Sequence, residues 1–525
     1  MRSRLPAAVL SLLMLTGLLA CTSTTPDAPP VTSPTGAAAI AAALTEEELV
    51  GQVLMPAVDM GGPIDDAVAM VEEYHAGGVI LMGTAVPGNV RALTDALHAA
   101  TPALGGQRLP LLISTDQEFG AVTRIRSGMT QLPSAMAFGA AGRPELTRAA
   151  WSAAGQELAA MGINVDNAPD ADVIGPANNT AIGSRSYGGQ ADAVASQVAA
   201  VVGGLREAGV AATLKHFPGH GNTTVDSHTD LPVLPQDRDA LSATDLLPFR
   251  AGITAGAQLV MAGHLDVRAV DAGTPASFSS RVLGDLLRGE LGFTGVVVSD
   301  SMAMAPARRW PEGEAAVRAF LAGNDLLLMP PSVEAARAGL LDALHEGRIP
   351  RARLEESVTR ILTLKATLGE SPRPEMTVLG TAEDSAFAVA SAAITVLSGP
   401  RSGPLVAGPV RITTSAGRAQ QRTWLAEELT SAGVEVVDEG GAVVHLVGYG
   451  DDEGNLAANA AVTVAMDTPY VLAEADSPVR IATYSSTRVA MRALAAVLAG
   501  HATAPGRLPV RPADRRPADG RPADR

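Results

Sequence analysis

Short runs of apolar residues recur along the chain, separated by longer stretches in which apolar positions return every three or four residues. The runs at residues 53–57, 78–82, 109–115, 164–167, 211–214, 258–262, 295–299 and 325–329 predict strands. Most are near-continuously apolar, the pattern of parallel strands buried on both faces. The stretches 64–75, 145–161, 191–208 and 312–322 carry helical periodicity. Eight strand–helix units in about 300 residues predict an α/β fold: a (β/α)8 TIM barrel over residues 39–370. An open doubly wound sheet is the alternative. No Gly-x-Gly-x-x-Gly follows the first strand, so a dinucleotide fold has no support.

A helical stretch at 351–368 ends in a proline-containing break at 371–374. A second set of strands follows at 393–397, 410–414, 443–447, 462–465 and 479–483, with helices at 421–432 and 487–499. This predicts a smaller, parallel α/β sandwich domain over 375–510. Residues 511–525 repeat Arg-Pro-Ala-Asp three times. With no apolar residue larger than Ala or Pro, they predict a disordered tail.

Composition changes the picture in two places. The formal net charge is −16 and no basic cluster with interleaved aromatics appears, which argues against a nucleic-acid partner. The only cysteine is Cys21, so no disulfide can form within the chain. Arg2 and Arg4 precede an apolar run that ends Leu18-Leu19-Ala20-Cys21. A basic start, an apolar centre and small residues before the break predict a secretory signal over 1–21. Its last four residues resemble a bacterial lipobox, which implies acylation of Cys21 and anchorage on the outer face of the cell membrane. Residues 22–38, rich in Thr, Ser and Pro, predict a flexible linker. No later stretch is long and apolar enough to span a bilayer. A monomer is expected.

Candidate chemistry collects where the barrel strands end. The predicted strands run into Asp116, Gln117 and Glu118; Asp166 and Asn167; Lys215 and His216; His264 and Asp266; and Asp300. In this architecture the C-terminal rim is where chemistry occurs. Asp300 follows an apolar run, which suits a nucleophile or a stabiliser of positive charge; it also suits a helix N-cap. Glycine and proline are expected to keep Lys215-His216-Phe217-Pro218-Gly219-His220-Gly221 out of regular structure. Asp226 lies two residues before His228, close enough to orient its imidazole for proton transfer near neutral pH. The histidines at 216, 220, 228 and 264 raise a metal site. Lys215 beside it and the lack of helical spacing weigh against one, and no metal is expected.

These residues also carry a resemblance. Residues 215–221 with Asp226-Ser227-His228 resemble the signature of NagZ-type β-N-acetylglucosaminidases of glycoside hydrolase family 3. Residues 299–304, Asp116-Gln117-Glu118 with Arg124, residues 182–188 and the Ala-Pro pair within 164–173 follow the same pattern in order. The resemblance covers roughly residues 40–370, and more loosely the second domain through 468–470, 484–487 and 506–510. It implies a retaining exo-β-N-acetylglucosaminidase acting on peptidoglycan-type fragments or related glycans. Asp300 would be the nucleophile and His228, oriented by Asp226, the acid/base. Asp116, Arg124, Arg185, Lys215 and His216 would hold the sugar, with no cofactor. The sequence departs where the family usually has Glu-Gly-Gly-Arg: here it reads Glu118-Phe119-Gly120-Ala121. Two other readings compete: a β-N-acetylglucosaminide phosphorylase, because an imidazole acid/base does not repel phosphate, and a non-catalytic wall-sugar-binding lipoprotein.

Overall fold

The computed structural model describes residues 34–175 and 179–511. In chain order the first strands are β1 (Leu54–Met55), β2 (Ala57–Asp59), β3 (Gly78–Met82), β4 (Leu112–Thr115), β5 (Val165–Asp166), β6 (Ala211–Phe217), β7 (Val233–Leu234), β8 (Leu259–Ala262), β9 (Asp266–Val267), β10 (Val296–Ser299) and β11 (Leu327–Leu328). Seven of them form one parallel sheet in the order β10-β8-β6-β5-β4-β3-β2. β1 and β11 form a separate parallel pair, and β7 pairs with β9. Val298 in β10 bridges Leu326, the residue before β11. β1 in turn is followed at once by β2. The result is an α/β fold with a curled parallel sheet whose strands all end at one rim.

The apolar runs form these strands because both faces are covered. Every residue of β4, β6, β8 and β10 is buried. Outside them helix Pro144–Ala160 packs on Ala191–Glu207, which packs on Leu246–Thr254. Burying each Val or Leu, such as Val260, Val297 or Leu214, stabilises the fold by about 1.5–3 kcal/mol.

Four expectations need correction. The strand predicted at 53–57 is split by Pro56, which has no N–H to donate to a ladder. β6 extends three residues beyond its predicted end, so Lys215, His216 and Phe217 are strand, not loop. The expected linker ends early: Pro34–Ala43 is a helix whose Ala37 and Ala41 are fully buried, packed on helix Arg351–Gly369. Alanine favours helix, and this docking surface offers burial that a tether lacks. Cys21 with its lipidation signal, and residues 512–525, lie outside the described residues. Among the described residues no helix is long and apolar enough to cross a membrane.

The fourth correction concerns the second sheet. Its strands β12 (Thr395–Ser398), β13 (Val410–Thr414), β14 (Ala442–Val447), β15 (Val462–Ala465) and β16 (Val479–Ala482) lie in the order β12-β16-β15-β14-β13. The β13 to β16 pairings are parallel, but β12 runs antiparallel to β16. β12 enters from helix Glu383–Ala393 and has no direct crossover to β16, so its direction is free. This sheet meets the first part at several points. Ser134 Oγ donates to Tyr484 O at 2.5 Å, Gly189 N to Pro509 O at 2.9 Å, and Ser184 Oγ to Asp467.

Candidate active site

The loop after β4 is folded by one amide. Gln117 N donates to Asp166 Oδ1 at 3.0 Å, and its Oε1 accepts from Arg124 N at 3.1 Å and Ile125 N at 3.0 Å. The loop therefore doubles back, and an Arg124 guanidinium nitrogen sits 3.1 Å from Asp116 Oδ2. Phe119, where the resemblance expects glycine, takes a left-handed φ of 64° and is buried edge-on against Trp151, with ring centroids 5.4 Å apart. The altered loop thus keeps Asp116 and Arg124 together.

At the end of β6 the register against β8 shifts between Leu214 and Phe217. Such an irregularity re-aims side chains, and both Lys215 and His216 face the cavity. Lys215 Nζ lies 2.5 Å from Glu118 and 3.5 Å from Asp116. Arg185 grips Glu118 through two bonds of 2.7 and 2.9 Å. Burial works against a charged Glu118, but Arg185 and Lys215 overcome it and hold its carboxyl at about 2. Burial works against the Lys215 ammonium too, and Glu118 and Asp116 more than offset it. His216 Nδ1 donates to Asp172 Oδ2 at 2.8 Å, while Nε2 lies 3.4 Å from Arg185. Burial lowers its pKa to about 4, so the imidazole is neutral at pH 7.

Asp300 follows β10 directly, and its Oδ1 accepts from Ser301 N at 2.7 Å. Burial raises its pKa; His216, His264, the Ser301 N–H and His228 together outweigh burial, so the carboxyl titrates below its usual range. His264 is a brace: Ser277 Oγ lies 2.6 Å from Nδ1, and Nε2 donates to Ser301 O at 2.9 Å. In the loop after β6, Asp226 Oδ1 accepts from His228 Nδ1 at 2.7 Å and from His228 N at 2.9 Å. Burial acts on Asp226 in the upward direction, and the two bonds from His228 bring its pKa down overall.

All eight residues assigned to catalysis or sugar binding line one cavity of about 250 Å3: Asp116, Arg124, Arg185, Lys215, His216, Asp226, His228 and Asp300. Glu118 lines it with them as the hub of the cations, a role its place in the sequence did not signal. Met82, Met261, Met304 and Met329 give it apolar walls. Asp166 and Asn167 lie one layer behind: Asn167 Nδ2 donates to Asp116 Oδ1 at 3.2 Å. Asp266, expected at the rim, instead accepts from Gly273 N at 2.8 Å. Asp172, which carries His216, went unread in the sequence. Its only signal was an Asp-x-Asp just after the Ala-Pro pair.

The four histidines do not converge on a metal. His264 and His228 are engaged as described, and His220 lies between Thr223 and Ser227. Ligand atoms of Asp170, Asp172 and His216 come within 4.8 Å of one another. Arg185, 3.4 Å from Asp170, already places a cation there, and the His216 nitrogen facing Asp172 carries a donated proton.

Residues 45–364 match the glycosyl hydrolase family 3 N-terminal domain. β-Hexosaminidase A of Pseudoalteromonas piscicida is 37% identical over 331 residues, 58% of this chain and 55% of that protein. The chain thus spans little more than half the length of that relative. β-Hexosaminidase LpqI of Mycobacterium tuberculosis is 36% identical over 341 residues, 62% of this chain and 84% of its own. A solved family 3 β-N-acetylglucosaminidase from Paenibacillus sp. str. FPU-7 superposes with a TM-score of 0.81 at 32% identity, covering 89% of this chain and 99% of that one. With the matched segment carrying every residue of the cavity, the chain belongs to glycoside hydrolase family 3.

Proposed function

We propose that the chain is a retaining exo-β-N-acetylglucosaminidase. The observation that carries this is the sharing of one small cavity by Asp300 and the Asp226–His228 pair. The similar proteins named β-hexosaminidase and β-N-acetylglucosaminidase support the same substrate class. The cavity volume falls below the roughly 300–1,000 Å3 of pockets for drug-sized ligands, which favours a single terminal ring.

In this reading an Asp300 oxygen attacks the anomeric carbon while the glycosidic C–O bond breaks. His228 gives its proton to the leaving oxygen, with Asp226 stabilising the imidazolium as it holds the ring. Water then attacks the glycosyl-aspartate, His228 takes its proton, and the Asp300 carboxylate departs. Two inversions retain configuration. Asp116, Arg124, Arg185, Lys215 and His216 hold the hydroxyls and the acetamido group. The lowered pKa of Asp300 keeps the nucleophile ionised at neutral pH.

The finer parts of the proposal are an eight-stranded barrel over 39–370 closed through β11 and β1, a separate domain over 375–510, and a lipid on Cys21 tethering the enzyme outside the membrane. Wall-type fragments bearing terminal β-N-acetylglucosamine are the proposed substrates. Covalent trapping tests the chemistry: a fluorinated N-acetylglucosaminide analogue should add one glycosyl mass to the peptide that bears Asp300. A label on a different residue, or turnover with none, rejects the assignment. Retention of Cys21→Ala in the membrane fraction rejects the anchor.

A further inference from the structure

Three consecutive loop residues face opposite ways. The side chains of Asp226 and His228 are 46% and 69% exposed, whereas Ser227 between them is buried. The Ser227 hydroxyl lies 3.0 Å from His220 Nε2. On the other side of that ring, Thr223 Oγ1 lies 2.8 Å from Nδ1 and 3.1 Å from the His220 carbonyl. The Thr223 hydroxyl donates to that carbonyl, so its oxygen accepts Nδ1–H, which leaves Nε2 to accept from Ser227. The His220 main chain is fixed independently. Its N–H donates to Asp172 Oδ1 at 2.6 Å, on the same carboxylate that takes His216 Nδ1–H. Asn179 Nδ2 donates to the carbonyls of His220 and Gly221 at 3.1 and 3.0 Å.

We infer that His220 is a positioning residue that seats the acid/base loop through the Ser227 hydroxyl. This rests on His228 being the acid/base. A general acid works only within hydrogen-bond reach of the leaving oxygen. The dyad itself is too exposed to anchor the loop, and the buried bond from Ser227 to a ring fixed beside the sugar-binding His216 supplies that anchor. Loss of the bond leaves the sugar contacts in place and spreads His228 over positions from which it cannot protonate the leaving group.

The test compares phenyl and 2,4-dinitrophenyl β-N-acetylglucosaminides. The first needs its leaving oxygen protonated and the second does not, and kcat/KM reports the step that forms the glycosyl-enzyme. His220→Ala and Ser227→Ala should each lower kcat/KM for the phenyl glycoside by about 10- to 100-fold, at or below the usual contribution of a general acid. Each should change the dinitrophenyl value by no more than about 2-fold. The double variant should lose no more than either single one, because both remove the same bond. His220→Gln, which keeps an acceptor within reach of Ser227, should recover part of the loss. Equal losses on the two substrates, or additive losses in the double variant, overturn the inference. Ser227→Ala removes only a hydroxyl and carries the test if His220→Ala does not fold. His228→Ala separates the two readings. If it shows no leaving-group selectivity, the acid assignment fails and the pin falls with it. If it is selective and Ser227→Ala is not, the pin alone fails.

Discussion

At the N-terminal end of β11, Asp325 is completely buried and surrounded. Arg288, Arg360 and Arg353 approach its carboxylate at 2.6, 3.1 and 3.4 Å, with Ser357 Oγ at 2.6 Å and Val297 N at 3.0 Å. Beyond the C-terminal end of β4, Glu118 is just as deeply ion-paired, to Arg185 and Lys215. The two clusters have similar chemistry and different surroundings. The cations on Asp325 come from helix Arg351–Gly369 and from Arg288 ahead of β10, and the cavity that holds the candidate site does not reach them. Those on Glu118 line an open cavity beside Asp116, His216 and Asp300. A paired charge at the floor fixes how a helix docks on the sheet. At the mouth the same pairing holds cations charged and aimed where a ligand can meet them.

The contrast predicts opposite phenotypes. Asp300→Ala should lower kcat/KM about 10⁴-fold or more, because the covalent route loses its nucleophile. Its unfolding free energy should stay within about 1 kcal/mol of the parent. Denaturant titration beside steady-state kinetics reads both, and substantial activity in this variant would erase the functional half of the comparison. Asp325→Ala should do the reverse. It takes the shared carboxylate from three guanidinium groups and should cost about 3–5 kcal/mol of stability. Turnover per folded molecule should match the parent. A drop in kcat at full folding would mean that the floor reaches the mouth.

The same contrast marks what could be read from the chain. Strands Gly78–Met82, Val410–Thr414 and Val462–Ala465 have the predicted bounds: the first is a continuous apolar run, and the other two are rich in β-branched residues with apolar and polar positions alternating. Asp116, Lys215, His216 and Asp300 were legible because each follows such a run and so reaches the rim. Asp226 and His228 were legible as a pair because two residues in a loop suffice to bring them together. Glu118 as a hub, Asp172 beneath His216, and Asp325 were not. Their partners lie tens of residues away, and only the fold determines that Arg185 meets Glu118 or that Arg288 meets Asp325. The helix at Pro34–Ala43 was hidden for a related reason: its stability comes from docking on a helix some 300 residues later.

Acid should distinguish the groups of the mouth from one another. His216 and His220 titrate at about 4 when folded, against roughly 6.5 unfolded. Between those values the unfolded chain binds more protons, so stability falls as pH drops from about 6.5 to 4. Glu118 titrates at about 2 when folded, against roughly 4.3 unfolded. Its contribution is present above the unfolded value and is lost as pH falls from about 4.3 towards 2. These groups should therefore pull urea midpoints down through two windows, against the opposing contribution of Asp166, Asp170 and Asp172, whose carboxyls burial holds above the usual range. His220→Asn should make the upper decline shallower, since His216 remains, and leave the lower, and Glu118→Gln should weaken the lower and leave the upper. A His220→Asn midpoint that falls from about pH 6.5 to 4 as steeply as the parent's would show that the buried His220 imidazole does not resist protonation.

The smallest expected effect concerns the departure from the family pattern at Phe119. Glycine there would relieve a left-handed backbone, worth about 1–2 kcal/mol for a side-chain-bearing residue. It would also remove a ring that is 1% exposed and packed on Trp151, and truncating a buried aromatic costs about 3–5 kcal/mol. Packing wins, so Phe119→Gly should destabilise by roughly 2 kcal/mol. KM should move by less than about 3-fold, because Arg185 and Lys215, not the Phe119 ring, hold Glu118 in place. Thermal unfolding and Michaelis kinetics on one preparation decide the sign. If the variant is instead more stable than the parent, the ring imposes net strain on the mouth. The comparison would then sharpen further: the floor would be built for stability alone, and the mouth would hold its loop shape against the backbone's own preference.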